Sequence, residues 1–475
     1  MPGTIIKKGT ATLLIPVELQ VRELDSRILL ACVAARRGFS SIIGPRREMH
    51  WHIPAFPKSI YVSKSTTSGS KSVFRMLRRL GHEIVAWDEE ALVHQAPEAY
   101  YRRRLAPEAL KYVSCLFAWG EENAELWRQY PQLPPDLSIH TTGHPRGDLM
   151  RAEMRSLYEK EVQKIRGTYG DFILVNTNFN QINAYFPDMN LLQPPANPSE
   201  KPELSRRAIG IGMSREYAEG FTAHKKAIFE DFQQLIPVLD RAFPDYTIVV
   251  RPHPVENQEV YHIIAEKCQR VHVINEGNVV PWLIAAKALV HNGCTTGVEA
   301  YMLDVPAVSY RNTVDENYDN DYHRLPNLVS HQCFDTEQLQ KTLAEVLTGK
   351  FAAKNGDGRK SVMDYHLAAQ IGPLACDRVV DVLDKISQVQ YQGKSPSIWD
   401  EIVSRGWAFR RRLKKRYKGY LPNRSNNRSG FLRHRYPGIS FQEVQETVNR
   451  FHRALGYQED LKVKKLFNQF FRISR

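Results

Sequence analysis

Short apolar runs that end in glycine, proline or polar residues, each followed by an amphipathic stretch, recur through the first 350 residues. This alternation constrains the fold more than any other feature. Strands separated by helices pair in parallel through right-handed crossovers, and strands buried on both faces are apolar throughout. In the first series, strands are expected at Ala11–Val17, Ser40–Gly44, Ser59–Ser63, Glu83–Trp87, Cys115–Trp119 and Ser138–Thr142. Helices are expected between them at Ser26–Arg37, Lys71–Leu80, Pro97–Leu110 and Glu121–Gln129. A charged connector, 151–170, leads to a second series with strands at Phe172–Asn176, Tyr246–Val250, Val271–Ile274, Leu289–His291 and Ala307–Tyr310. Its helices are read at Glu216–Phe243, Val280–Ala286, Val298–Leu303 and Thr336–Leu347, and 187–207, rich in Pro, Asn and Ser, as a loop or lid.

The expected fold class is α/β: two Rossmann-like doubly wound domains facing each other across a cleft. A chain of 475 residues is too long for one core. The divisions are 1–150, a connector at 151–170, a second domain at 171–385 and a basic, mainly helical extension at 386–475. Ligands of open α/β sheets bind outside the carboxyl ends of the strands, so chemistry is sought there.

Composition narrows the partners. Residues 401–475 hold 19 Lys/Arg against 5 Asp/Glu, while the whole chain carries +13. The positive charge therefore lies in the tail. A solvated basic segment is the plain reading, and an anionic membrane surface or glycan is the functional one. No nucleic-acid motif accompanies the charge, so no nucleic-acid partner is expected. Six cysteines are scattered without a CxxC pair, which fits a reducing compartment and points away from a zinc site. The N-terminal stretch before Glu18 reads as a strand rather than a signal peptide, and no run reaches the length of a membrane span. The expectation is a cytoplasmic protein, peripheral at the inner membrane face if the tail binds lipid.

Six segments at strand ends can carry chemistry. Arg251-Pro252-His253-Pro254 follows a strand directly; the prolines fix the backbone and hold the imidazole out, where it can bond a phosphate or sugar oxygen beside Arg251. A rigid strand exit is the ordinary alternative. Asn292-Gly293-Cys294-Thr295-Thr296-Gly297 ends another strand and opens a helix. Its small residues let backbone N–H groups approach an anion, Thr295 and Thr296 can cap or bond phosphate, and Glu299 can accept from a sugar hydroxyl. The motif is not a Walker loop. Asp88, Glu89 and Glu90 stand together at a strand end. Facing a cleft they would repel one another, raising at least one pKa for acid/base or nucleophilic work; an acidic helix start is the alternative. Thr142–Asp148 reads as a hinge from which His144 or Arg146 can reach the cleft, and Asn176 and Asn178 sit in a polar loop after a strand. Glu18 and Arg22–Asp25 are placed in the loop after the first strand, where an acceptor could lie.

In order, WDEE (87–90), TGHPRGD (142–148), FILVNTNFN (172–180), RPHP (251–254) and NGCTTGVEA (292–300) resemble the motifs of bacterial surface carbohydrate biosynthesis proteins. That family is similar to GT-B capsule and lipopolysaccharide transferases that use CMP-activated 3-deoxy-octulosonic acid (Kdo). The His-Pro and Ser/Thr-rich elements also resemble those of bacterial sialyltransferases and teichoic-acid glycerophosphotransferases. The resemblance, over about residues 10–385, implies a glycosyltransferase with a nucleotide-sugar donor, such as a CMP-linked one, held by Arg251, His253, Asn292, Gly293, Thr295, Thr296 and Glu299. It implies a glycan or lipid-linked acceptor on the first domain and a catalytic carboxylate from Asp88, Glu89 or Glu90. It implies no metal and no further cofactor. A nucleotide-sugar epimerase or glycerophosphotransferase of the same fold, and a non-catalytic assembly or export factor, are the rival readings.

Overall fold

The computed structural model describes residues 11–475 except 194, 196, 198, 200, 211, 320–322, 352–357, 391–394 and 422–423. Part of the 187–207 lid reading lies outside the described residues.

The first series forms strands β1 (Thr12–Val17), β2 (Ser40–Pro45), β3 (Ser59–Ser63), β4 (Glu83–Ala86), β5 (Cys115–Ala118) and β6 (Ser138–Thr141). All are parallel, in the order β2-β1-β3-β4-β5-β6. The order reverses between β1 and β3, which opens a crevice where Val17 passes into Glu18 and Ser63 into Lys64. The second series forms β7 (Phe172–Asn176), a small antiparallel pair β8 (Leu192–Gln193) and β9 (Glu203–Leu204), then β10 (Thr247–Arg251), β11 (Val271–Val273), β12 (Ala288–His291), β13 (Ala307–Tyr310) and β14 (His331–Cys333). The parallel sheet β11-β10-β7-β12-β13-β14 has Rossmann order, reversing between β7 and β12. Asn176 pairs with Arg251 on one side and His291 on the other, so the ends of three strands are level at that point.

Both sheets are cores in themselves. Every residue of β1, β3, β5, β7, β12 and β13 is buried, as expected for parallel strands covered on both faces. The result is a GT-B-like arrangement, two Rossmann-like α/β domains with a cavity lined by both.

Several expectations change. The first helix, α1 (Gln20–Arg36), starts six residues before the expected Ser26. Arg22–Asp25 therefore lie in its first turns and not in a loop. The single helix expected over 97–110 is two short ones, Pro97–Arg104 and Pro107–Leu110. Pro107 lacks the N–H that an unbroken helix needs and starts the second instead. Further along come α2 (Glu159–Tyr169) in the connector, α3 (Arg215–Ala242) and α4 (Thr296–Met302), followed by α5 (Ala375–Gln390), which returns to pack on α1.

The tail is not simply helical. It contains α6 (Ile398–Lys418), α7 (Ser429–Arg435) and α8 (Phe441–Ala454), and then an antiparallel hairpin, β15 (Lys462–Phe467) and β16 (Phe470–Ser474). Strand β16 adds antiparallel to β2, extending the first sheet to eight strands. Phe470, Phe471 and Ile473 are buried there, and a methyl group on Gly44 would overlap the Phe470 ring. Charge masked this hairpin in the sequence. Its outer strand β15 is a sheet edge that carries Lys462, Lys464 and Lys465, the usual guard against edge-to-edge pairing. Among the described residues, no helix is long and apolar enough to cross a membrane.

Candidate functional site

One cavity of about 410 Å³ lies between the carboxyl edges of the two sheets. The first domain contributes Glu89, Glu90 and Arg146; the second contributes Asn176, Asn178, Arg251, His253, Thr295, Thr296 and Glu299. Of the fourteen residues expected to be catalytic, to hold the donor, or to reach the cleft from the 142–148 and 176–178 segments, ten thus line one cavity. Asp88, His144, Asn292 and Gly293 are not in its wall.

The three acids diverge in environment. Asp88 is buried; it accepts from Tyr100 Oη at 2.9 Å and from Arg104 Nε at 2.8 Å, and Arg104 Nη2 pairs with its other oxygen. Both of its oxygens are committed, so it braces the strand end. Glu89 is also buried but lines the cavity. Its Oε1 pairs with Arg27 and accepts from Trp87 Nε1 at 2.9 Å, while Oε2 has no partner among the described residues. Glu90 is 34% exposed at its side chain and lies 3.4 Å from Arg22. Burial would raise its pKa, but Arg22, Arg104, Lys64 and Arg146 hold it down at about 2. The expected repulsion is absent because each carboxylate has its own guanidinium: Arg104, Arg27 and Arg22. For Glu90 the shift runs opposite to the expectation.

His144 is fully buried, stacked on Trp119 at 4.0 Å between ring centroids and edge-on to Trp87. Its Nδ1 accepts from Arg146 N at 3.1 Å, so the proton sits on Nε2, which faces Glu89 Oε1 at 3.3 Å. Burial holds this imidazole neutral, well below its ordinary pKa. It lies behind Glu89 and outside the cavity wall. Gly143, with φ of +79°, makes the turn ahead of it, and the Asp148 carboxylate accepts from Ala375 N and Cys376 N, clamping the hinge to α5. Arg146 lines the cavity and pairs across the domains with Glu299. One oxygen of Glu299 is thereby committed to an interdomain ion pair.

In the second domain, His253 Nδ1 accepts from Val255 N at 3.3 Å, leaving Nε2–H as a donor. Burial lowers its pKa to about 4, so it is a neutral donor near pH 7. Arg251 lines the cavity, but its guanidinium donates to the carbonyls of Glu276 and Gly277 and lies over Trp282. It braces a loop, which corrects the expectation of a phosphate clamp. Thr295 begins α4 without a side-chain capping bond, again contrary to expectation. The loop before it is held by His291, whose Nδ1 accepts from Gly293 N and Cys294 N and whose Nε2 lies 2.8 Å from Ser330 Oγ. Gly293 has φ of +76° and sits against His323, a close approach that a side chain would block.

Sequence reasoning missed several parts. Glu256 is wholly buried and accepts from Thr177 Oγ1, Phe179 N, His253 N and Tyr261 Oη. It ties the RPHP exit to the polar loop after β7. Lys225 lines the cavity 2.8 Å from His323 Nε2, and burial lowers its pKa to about 8. Its signal was available: Phe221, Lys225, Ile228 and Phe232 form one stripe of α3, and a lysine in an apolar stripe needs a reason. Lys64 and Arg435 also face the cavity, beside Arg22, which the sequence places near an acceptor; Lys64 pairs with Glu23, and Arg435 reaches Glu18 at 3.0 Å. In all, eight Arg/Lys against four Glu line the wall, a setting for an anionic ligand. Asn176 Oδ1, Asn275 Oδ1 and Glu89 Oε2 are unsatisfied buried acceptors of that wall, groups that a polar ligand would complete.

Glu256 sets a pH dependence. Burial raises its pKa from 4.5 to about 7, against the hydrogen bonds it accepts. Below pH 4.5 it is protonated both folded and unfolded, and nothing is lost. Between 4.5 and 7 the unfolded chain ionises first, so stability falls as pH rises, by about 3 kcal/mol in all. The stability difference between wild type and Glu256→Gln in denaturant titrations from pH 4.5 to 8 is expected to show this slope, since buried neutral histidines such as His253 change stability in the opposite sense over the lower part of that window.

Fold and wall together define a two-domain α/β protein with an interdomain, cation-rich cavity. No family model matches the chain, and no curated protein matches it. Among solved structures it is similar to the UDP-GlcNAc 2-epimerase of Methanocaldococcus jannaschii in complex with UDP-GlcNAc and UDP, at 12% identity over 79% of this chain and 100% of that one, TM-score 0.47. The Neisseria meningitidis UDP-GlcNAc 2-epimerase bound to UDP-GlcNAc gives 12%, 79%, 100% and 0.48. The wall teichoic acid polymerase TagF, soaked with CDPG, gives 11%, 80%, 89% and 0.49.

Proposed function

We propose that the chain is a glycosyltransferase that moves a sugar from a nucleotide-sugar donor to a surface-glycan or lipid-linked acceptor, acting in the cytoplasm. The observation that carries this reading is a single cavity in which carboxylates of one domain face an imidazole and a buried ammonium of the other. The donor phosphate would meet His253 Nε2–H, Lys225 and the Thr295–Thr296 loop; the acceptor would lie by Arg22, Lys64 and Glu89. In transfer, the acceptor hydroxyl oxygen bonds to the anomeric carbon and gives its proton to Glu89 Oε2. The bond from that carbon to the phosphate oxygen breaks, its electron pair leaves on the phosphate, and the cationic wall stabilises the new charge. Glu90, ionised throughout, faces the positive charge that develops on the sugar. The cationic wall supports an anionic donor; a CMP-linked acidic sugar such as Kdo is the donor that the sequence motifs suggest.

The test is incubation with CMP-, UDP-, GDP- and CDP-linked compounds, with and without acceptor glycan. Product that forms only with acceptor supports transfer. Conversion of the nucleotide sugar alone would replace the proposal with epimerisation. His253→Ala is expected to weaken donor binding by about tenfold or more, the value of one hydrogen bond to a charged group. Because His253 is neutral, its contribution should not vary between pH 6 and 8, as calorimetric titration with the donor would show.

A further inference from the structure

We infer that the outer face of α6 is a docking surface for an anionic phospholipid bilayer, independent of the reaction in the cavity. This helix buries Ser404 and Ala408 against the first domain, and Arg411 reaches Ser72 on the same side. Its other face is turned to solvent, yet it is not polar. Ile398, Trp399, Ile402, Phe409, Leu413 and Tyr417 are all between half and nearly four-fifths exposed. At roughly 100° per residue these six fall within an arc of about 100°, directed away from the buried pair. A surface helix of a globular protein carries its apolar stripe inward; this one carries a second stripe outward.

Charge identifies the occupant. From Ile402 to Lys418 the helix has eight Lys/Arg and no carboxylate. Arg416 and Arg405, the latter paired with Glu401, border the apolar arc on one side, and Arg410 and Lys414 on the other; Arg412 lies over the Trp51 ring of the first domain. Apolar side chains flanked on both sides by cations match acyl chains beneath phosphate headgroups, with the helix lying in the plane of the surface. Tyr417 and Trp399 have the amphipathic rings favoured at that depth. A protein groove would need matching carboxylates on both borders of the arc, whereas a bilayer presents anions on every side.

The test uses the full chain and sedimentation with vesicles of phosphatidylcholine and phosphatidylglycerol (1:1) or of phosphatidylcholine alone. Binding to the mixed vesicles is expected to be at least tenfold tighter. Two variants alter only exposed side chains: Trp399→Ser with Phe409→Ser and Leu413→Ser, and Arg410→Gln with Lys414→Gln and Arg416→Gln. Each should lose at least tenfold in vesicle binding with an unchanged melting temperature. Equal binding to both vesicle types, or wild-type binding by the serine variant, would overturn the inference. So would a dimer in solution that the serine variant abolishes, since the face would then cover a second copy. Transfer activity does not enter the readout, so failure here leaves the proposed reaction standing.

Discussion

Glu89→Gln is expected to lower kcat by about 10²- to 10⁴-fold, the range for removal of a general base, with donor KM little changed. Glu89 alone of the three adjacent acids is buried, lines the cavity and keeps an oxygen without a partner. Gln has nearly the same shape and still accepts from Trp87 Nε1, but its second polar atom cannot take a proton. Asp88→Asn separates this role from a structural one. It breaks the paired contact with Arg104 and should lower the melting temperature, while the folded fraction keeps far more activity than Glu89→Gln. Single-turnover rates normalised to folded protein measure both. Equal activity in Glu89→Gln and wild type would remove Glu89 from the chemistry.

Arg27→Leu should destabilise the protein by about 3–5 kcal/mol, because it leaves the buried Glu89 carboxylate without its counter-charge. Arg27 is itself buried, its guanidinium lying 4.5 Å from the centre of the Trp87 ring. Breaking one half of such a pair costs more than replacing both halves with neutral groups. The double variant Arg27→Leu with Glu89→Gln should therefore be more stable than Arg27→Leu by about 2 kcal/mol or more, as guanidinium unfolding would measure. Simple additivity would show that the ion pair does not couple the two residues.

These outcomes trace to how the chain encodes its structure. The two βα series were legible because parallel strands covered on both faces must be apolar throughout, and their ends must turn within a few residues. The RPHP exit, the Asn292–Thr296 loop and the acidic strand end were legible for the same local reason: each follows a strand directly. The start of α1 was not, since its first turns carry Arg22, Glu23 and Asp25, polar residues that face the cavity and the interdomain surface instead of the core.

The sequence by itself determined the parallel βα strands of the two sheets up to β13, their ends and hence the edge at which a site could form, but not β14 or the β15–β16 hairpin. Only the tertiary structure decided what each side chain does there. Asp88, Glu89 and Glu90 are neighbours with the same chemistry. Their roles differ because Arg104, Arg27 and Arg22, distant in the chain, arrive at different oxygens. Likewise Arg251 is consumed by carbonyls of the next loop, and Arg146 by Glu299 across the domain gap. Backbone conformation follows from short-range preferences and periodicity, whereas a charge answers to whatever lies within a few ångströms, which folding alone assembles.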